Sequence, residues 1–151
     1  MRSKVSMMTL TAGVVLWASA ASADPVARGN NFVVNANVAN CNANAECKIE
    51  LRLEAVGDFH VNKEYPYKFK ATAATGVTYL GKDANDTAIF SKAAGDFALD
   101  DKNEKLGVMT VRFKSANKGA VSIAGVFKLS VCSAANCQLE TANVTVPVTV
   151  H

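Results

Sequence analysis

The segment from Ala120 to Val150, AVSIAGVFKLSVCSAANCQLETANVTVPVTV, leaves little choice of secondary structure. Val121, Ile123, Phe127, Leu129 and Val131 occupy alternate positions, with Ser122, Lys128 and Ser130 between them. Successive side chains of an extended chain point to opposite faces, so this spacing gives one apolar and one polar face. Val144, Val146, Val148 and Val150 repeat the pattern against Thr145, Pro147 and Thr149. Between the two runs, Cys132 and Cys137 flank Ser133-Ala134-Ala135-Asn136. A four-residue hairpin loop sets the two cysteines opposite each other. Opposed residues have Cα atoms ~4.5–5.5 Å apart, within the reach of a disulfide.

The same alternation recurs upstream. From Glu46 to Val56, Cys47, Ile49, Leu51, Leu53 and Ala55 face one way, and Lys48, Glu50, Arg52 and Glu54 the other. That is the pattern of a half-buried strand on an antiparallel sheet. Leu106 to Lys114 places Met109, Val111 and Phe113 inward, with Thr110, Arg112 and Lys114 outward. Tyr65, Tyr67, Phe69 and Ala71 alternate with Lys68, Lys70 and Thr72, and Pro66 belongs at the start of that strand or at a sheet edge. Val77–Leu80, Ala88–Phe90 and Phe97–Leu99 are short apolar pieces between turn signals. Asp100 to Lys105 reads as a solvated, charged bend. Roughly seven to nine short strands with no amphipathic helix predict an all-β fold, an immunoglobulin-like antiparallel β-sandwich, with a barrel as the alternative.

Residues 1–23 read as a signal peptide. Arg2 and Lys4 precede an apolar run ending in Val14-Val15-Leu16-Trp17, and Ala21-Ser22-Ala23 has the small-x-small form of a cleavage site. The run is too short and too diluted by Ser, Thr and Gly for a membrane span. The expected product starts at Asp24, is periplasmic or secreted, and has no stable membrane insertion after cleavage. Loss of Arg2 and Lys4 lowers the basic count from 16 to 14 against 13 acidic residues, so the net charge falls from +3 to +1. No basic run remains to follow a phosphate backbone, which excludes nucleic acid as a partner. Residues 24–45 hold Asn30, Asn31, Asn35, Asn37, Asn40, Asn42 and Asn44. Asn favours turns, so this stretch is expected to be an exposed lead-in, with Phe32-Val33-Val34 as a short strand at most. The sandwich domain is expected over 46–151.

All four cysteines lie after the cleavage site, and in an oxidising compartment disulfides are their default state. Four cysteines allow three connectivities. The short spacings favour two local bridges, Cys41–Cys47 and Cys132–Cys137. Cys41-x5-Cys47 exceeds the usual zinc spacing, Cys132-x4-Cys137 is at its upper limit, and His60 and His151 are not spaced as ligands, so no metal is expected. No other cofactor is called for. Phe59, His60, Tyr65 and Tyr67 form an aromatic-plus-histidine cluster. It reads either as a rim that shields or binds something, or as ordinary sandwich core with a solvated His60. Nothing beside His60 supplies the nucleophile and orienting acid of a catalytic triad.

Phe59-His60-Val61-Asn62-x-x-Tyr65-Pro66, then Phe127 to Val131 leading into Cys132-x4-Cys137, then Val144-Thr145-Val146-Pro147-Val148, resembles the exported immunoglobulin-like domain at the N-terminus of the bacterial DsbD family of thiol:disulfide interchange proteins. The resemblance spans roughly residues 46–150. It implies that Cys132 and Cys137 are a redox pair that exchanges electrons with a thioredoxin-like partner or a membrane-bound disulfide reductase. An aromatic loop caps the pair in that family, and Phe59, His60 and Tyr65 are the residues available for it here. Cys41 and Cys47 have no counterpart in that pattern. The alternative is a non-catalytic periplasmic binding or structural module in which both disulfides are staples.

Overall fold

In the computed structural model, residues 24–151 are described. The expected signal peptide over 1–23 lies outside them. Eleven strands and no helix make up the secondary structure of the described residues. Two antiparallel sheets face each other. Sheet A holds β1 (Ala27–Arg28), β2 (Phe32–Val38), β3 (Glu46–Ala55) and β9 (Leu106–Ser115) in that order. Its far edge is shared by β6 (Val77–Tyr79) and β8 (Phe97–Leu99), which pair with opposite ends of β9. Sheet B runs β11 (Cys137–Val150), β10 (Gly119–Cys132), β5 (Lys68–Ala71) and β7 (Ile89–Ser91). The short β4 (His60–Val61) also pairs with β10, ahead of β5. With the β2–β3–β9 and β5–β10–β11 groupings in separate sheets, this is the immunoglobulin-like sandwich the strand pattern predicts.

The strands follow the alternation of the sequence closely. β3 buries Cys47, Ile49, Leu51, Leu53 and Ala55, and β9 buries Met109, Val111 and Phe113. β11 buries Val144, Val146, Val148 and Val150 on the same face that buries Ile123, Phe127, Leu129 and Val131 of β10, and the two strands pair over fourteen positions of the hairpin. Gly125 is the one gap in the apolar row. A Cβ there would run into the Phe69 ring and the Lys70 carbonyl, so glycine lets β5 approach β10 closely.

The expected lead-in over 24–45 is corrected by the structure. β2 pairs with β3 over seven residues, and Phe32 and Val34 are fully in the core. The sandwich therefore begins ahead of Glu46. Asn35 and Asn37 fall on alternate positions of β2, away from the core face. The asparagines hide a strand because Phe32, Val34 and the ladder to β3 outweigh a weak local preference.

Aromatic rings join the sheets. Tyr67 stacks on Phe97 at 3.9 Å between centroids, and Phe127 tilts against both at 6.4 Å. The Tyr67 hydroxyl donates to the Ser130 carbonyl at 2.6 Å, and the Tyr79 hydroxyl to the Thr72 carbonyl at 2.8 Å. Burial raises the pKa of both phenols, since a phenolate there is poorly solvated. A folded-state pKa above the unfolded value means this contribution is fully present below ~10, the unperturbed value. It is lost as pH rises through the folded pKa. Denaturant midpoints are expected to fall above about pH 10. Phenolate absorbance from these two rings should appear with unfolding; its appearance in the intact fold near that pH would contradict their burial.

Candidate functional site

The turn between β10 and β11 brings the second cysteine pair together. Cys132 and Cys137 are direct partners in the ladder, with Cα atoms 3.9 Å apart and a disulfide between them. Beyond them the Ser133 N–H donates to the Asn136 carbonyl at 2.8 Å. Ser133 Oγ accepts from the Ala135 and Asn136 N–H groups at 3.2 and 3.3 Å. The turn is therefore tightened by its own serine, with Ala134 and Ala135 exposed at the tip.

Parity decides which face carries the bridge. Core residues of β10 are odd-numbered, so Cys132 shares the outer face with Lys128 and Ser130. Cys132 is nevertheless only 5% exposed, because β4 covers its other flank. His60 is the direct ladder partner of Cys132, and Val61 that of Val131. His60, Cys132 and Cys137 thus form one row across three strands, and directly opposed side chains on one face are neighbours. Cys137, on edge strand β11, is exposed.

The segment that presents His60 is firmly held. The Asn62 N–H donates to the Ser130 carbonyl at 3.1 Å, and Asn62 Nδ2 to Ser130 Oγ at 3.2 Å. Asn62 Oδ1 accepts from the Glu64 N–H at 3.0 Å, closing the turn that follows. The Val61 N–H donates to the Glu104 carbonyl at 2.9 Å. Phe59 and Tyr65, on either side, are half-buried against the core, and Tyr65 meets Tyr67 edge-on at 5.1 Å.

The first pair is built differently. Cys41 and Cys47 are bonded with Cα atoms 5.0 Å apart, and both are 1% exposed. Their loop fastens the end of β11. The His151 N–H donates to the Cys41 carbonyl, and the Ala43 N–H to the His151 carbonyl, each at 2.9 Å. The two bridges therefore sit at opposite ends of β11, one inside the core and one at the surface.

No protein-family model matches this chain, and no curated protein matches it. Among solved structures it is similar to AggA, the major subunit of aggregative adherence fimbriae type I from Escherichia coli. The match has 10% identity and a TM-score of 0.36, and covers 81% of this chain and 97% of that one. At that score the likeness bears on nothing that follows.

The sequence spacing placed Cys132 against Cys137 and Cys47 on an apolar face, and both placements hold. It did not place His60 beside Cys132, because that pairing joins residues far apart in the chain. The one local signal is parity: in Phe59-His60-Val61-Asn62, an inward Val61 turns His60 and Asn62 outward together. Among the described residues, no group of three or more His, Cys, Asp or Glu side chains comes together as a metal site. No helix long and apolar enough to cross a membrane occurs among them.

Proposed function

We propose that this protein is an exported thiol–disulfide exchange module, acting in the periplasm or medium through the Cys132–Cys137 pair. The observation that carries the reading is the placing of that bridge. It lies on the outer sheet face at a hairpin tip, with Cys137 exposed on an edge strand and His60 opposite Cys132. A bridge at this position adds little as a staple, because the hairpin already has fourteen paired positions. The buried Cys41–Cys47 bridge serves that purpose instead.

The chemistry is a pair of displacements. The thiolate of a thioredoxin-like partner or membrane-bound reductase attacks Sγ of Cys137, the accessible sulfur. The Cys132–Cys137 bond breaks and its electron pair leaves on Sγ of Cys132. His60, directly opposite Cys132 in the ladder, is placed to donate a ring N–H to that thiolate. The partner's second thiol gives its proton to solvent and attacks the partner sulfur of the mixed disulfide, releasing Cys137 as a thiolate. The partner ends oxidised and the hairpin pair reduced. The reverse sequence passes the electrons to a substrate disulfide.

Mild dithiothreitol followed by alkylation and peptide mapping is expected to label Cys132 and Cys137 before Cys41 and Cys47. The tip pair should have a reduction potential between roughly −120 and −270 mV, the range of exchanging oxidoreductases. A potential below about −300 mV, typical of structural bridges, would sink the proposal.

A further inference from the structure

The outer face of sheet B carries charge of one sign. Lys68 and Lys70 of β5 and Lys128 of β10 point outward and are exposed. No outward position of β5, β7, β10 or β11 is Asp or Glu, and Glu140 has the inward parity. Composition does not force this, since residues 24–151 hold 14 basic and 13 acidic side chains. Sheet A mixes its charges instead. Lys48 pairs with Glu50 at 2.8 Å, and Arg112 with the buried Asp96 at 2.9 Å.

On sheet B, Lys68 lies directly opposite Lys128 in the ladder. Like charges in register repel, and neither lysine forms an ion pair among the described residues. Lys70 has only a loose contact, 3.7 Å from Asp86. The three lysines rim a groove of about 550 Å³, floored by Val126 and the Ala71–Ala73 stretch. That volume accepts a few side chains.

The groove and the bridge share one face of β10, and the groove's lining ends at Lys128. Lys128, Ser130 and Cys132 follow one another on the outer face of β10. At ~3.3 Å per residue, Lys128 lies about 13 Å from Cys132 along the strand. Leu139, ladder partner of Ser130 and 70% exposed, stands between them as an apolar foothold. An extended segment crossing this face would therefore meet a reactive sulfur, an apolar contact and a cationic groove in turn.

We infer that the Lys68–Lys70–Lys128 face docks an Asp/Glu-rich segment of the protein that exchanges with the tip bridge. This rests on the exchange reading above and names the chemistry of the partner. Carboxylates would relieve the Lys68–Lys128 repulsion, steer the encounter over distances of a Debye length and fix its register.

The test uses two synthetic peptides, each with one cysteine, a short spacer and a run of either Glu or Gln. In the first arm the cysteine is replaced by serine, and each peptide is titrated at low salt into the oxidised, isotopically labelled protein. Amide shifts confined to β5 and β10 are expected with the Glu peptide alone. In the second arm the thiol peptides reduce the protein. The Glu peptide is expected to open the tip bridge about tenfold faster at low salt. High salt or the Lys68→Gln/Lys128→Gln variant should abolish the difference, while the rate with dithiothreitol stays unchanged. Equal shifts or equal rates for the two peptides would overturn the inference. If neither thiol peptide nor dithiothreitol opens the tip bridge before Cys41–Cys47, the exchange reading fails, and the first arm still decides the docking face. Self-association or binding to phosphatidylglycerol vesicles that the lysine variant abolishes, with the Glu peptide silent, would assign the face to another occupant and overturn the inference.

Discussion

Phe127→Ala is expected to lower the unfolding free energy by about 3–5 kcal/mol, and Lys128→Ala, one residue on, to change it by less than about 0.5 kcal/mol. The contrast follows from strand parity alone. Phe127 is fully buried at the meeting of the two sheets, with Phe97 and Tyr67 each 6.4 Å away. Its ladder partners are Ala142 on β11 and Phe69 on β5. Ala142 is too small to fill the space left behind, and Phe69 is already packed against Gly125 and Phe90. The lost ring therefore leaves a cavity that the neighbours close only in part. Lys128 points outward, and its removal relieves the repulsion from Lys68. Urea unfolding of both variants with disulfides intact gives the comparison. Equal losses would mean that β10 is misplaced by one residue, which would also turn Cys132 into the core.

The same parity explains what the sequence revealed and what it withheld. β3, β9, β10 and β11 were legible because each holds a row of apolar residues at alternate positions, and a shift of one residue would expose that row. β2 was not legible. Its inward residues Phe32 and Val34 are surrounded by asparagines, and only the ladder to β3 makes them a strand. The two residues of β4 are too few to show a period. The candidate site divides along the same line. Cys132 against Cys137 is a local hairpin contact, fixed by four intervening residues. His60 against Cys132, and Lys68 against Lys128, are pairings between distant segments. Sequence spacing shows the face to which such residues belong. It does not show which residue of another strand lies opposite.

The two disulfides should separate stability from exchange when each is removed in turn. Cys41→Ala with Cys47→Ala is expected to cost about 4–5 kcal/mol, the upper part of the range for small exported domains. Cys132→Ala with Cys137→Ala should cost about 2 kcal/mol at most and abolish exchange with a reduced thioredoxin-like protein. Chain entropy alone does not distinguish them, because their separations of 6 and 5 residues close loops of nearly equal size. The difference lies in the folded state. The first bridge is buried, and losing it removes packed sulfur from the core. It also frees the loop whose N–H and C=O groups hold His151, and whose Asn44 N–H donates to the Ser115 carbonyl at 2.7 Å. That loop ties together the ends of β9 and β11. At the other end, the β10–β11 ladder, the Ser133 turn and the Asn62 clasp on Ser130 all persist without the tip bridge. Denaturant unfolding and an exchange assay on the same two variants read the two effects. If the tip variant is the less stable and it is the Cys41–Cys47 variant that loses exchange, the roles assigned to the two bridges are reversed.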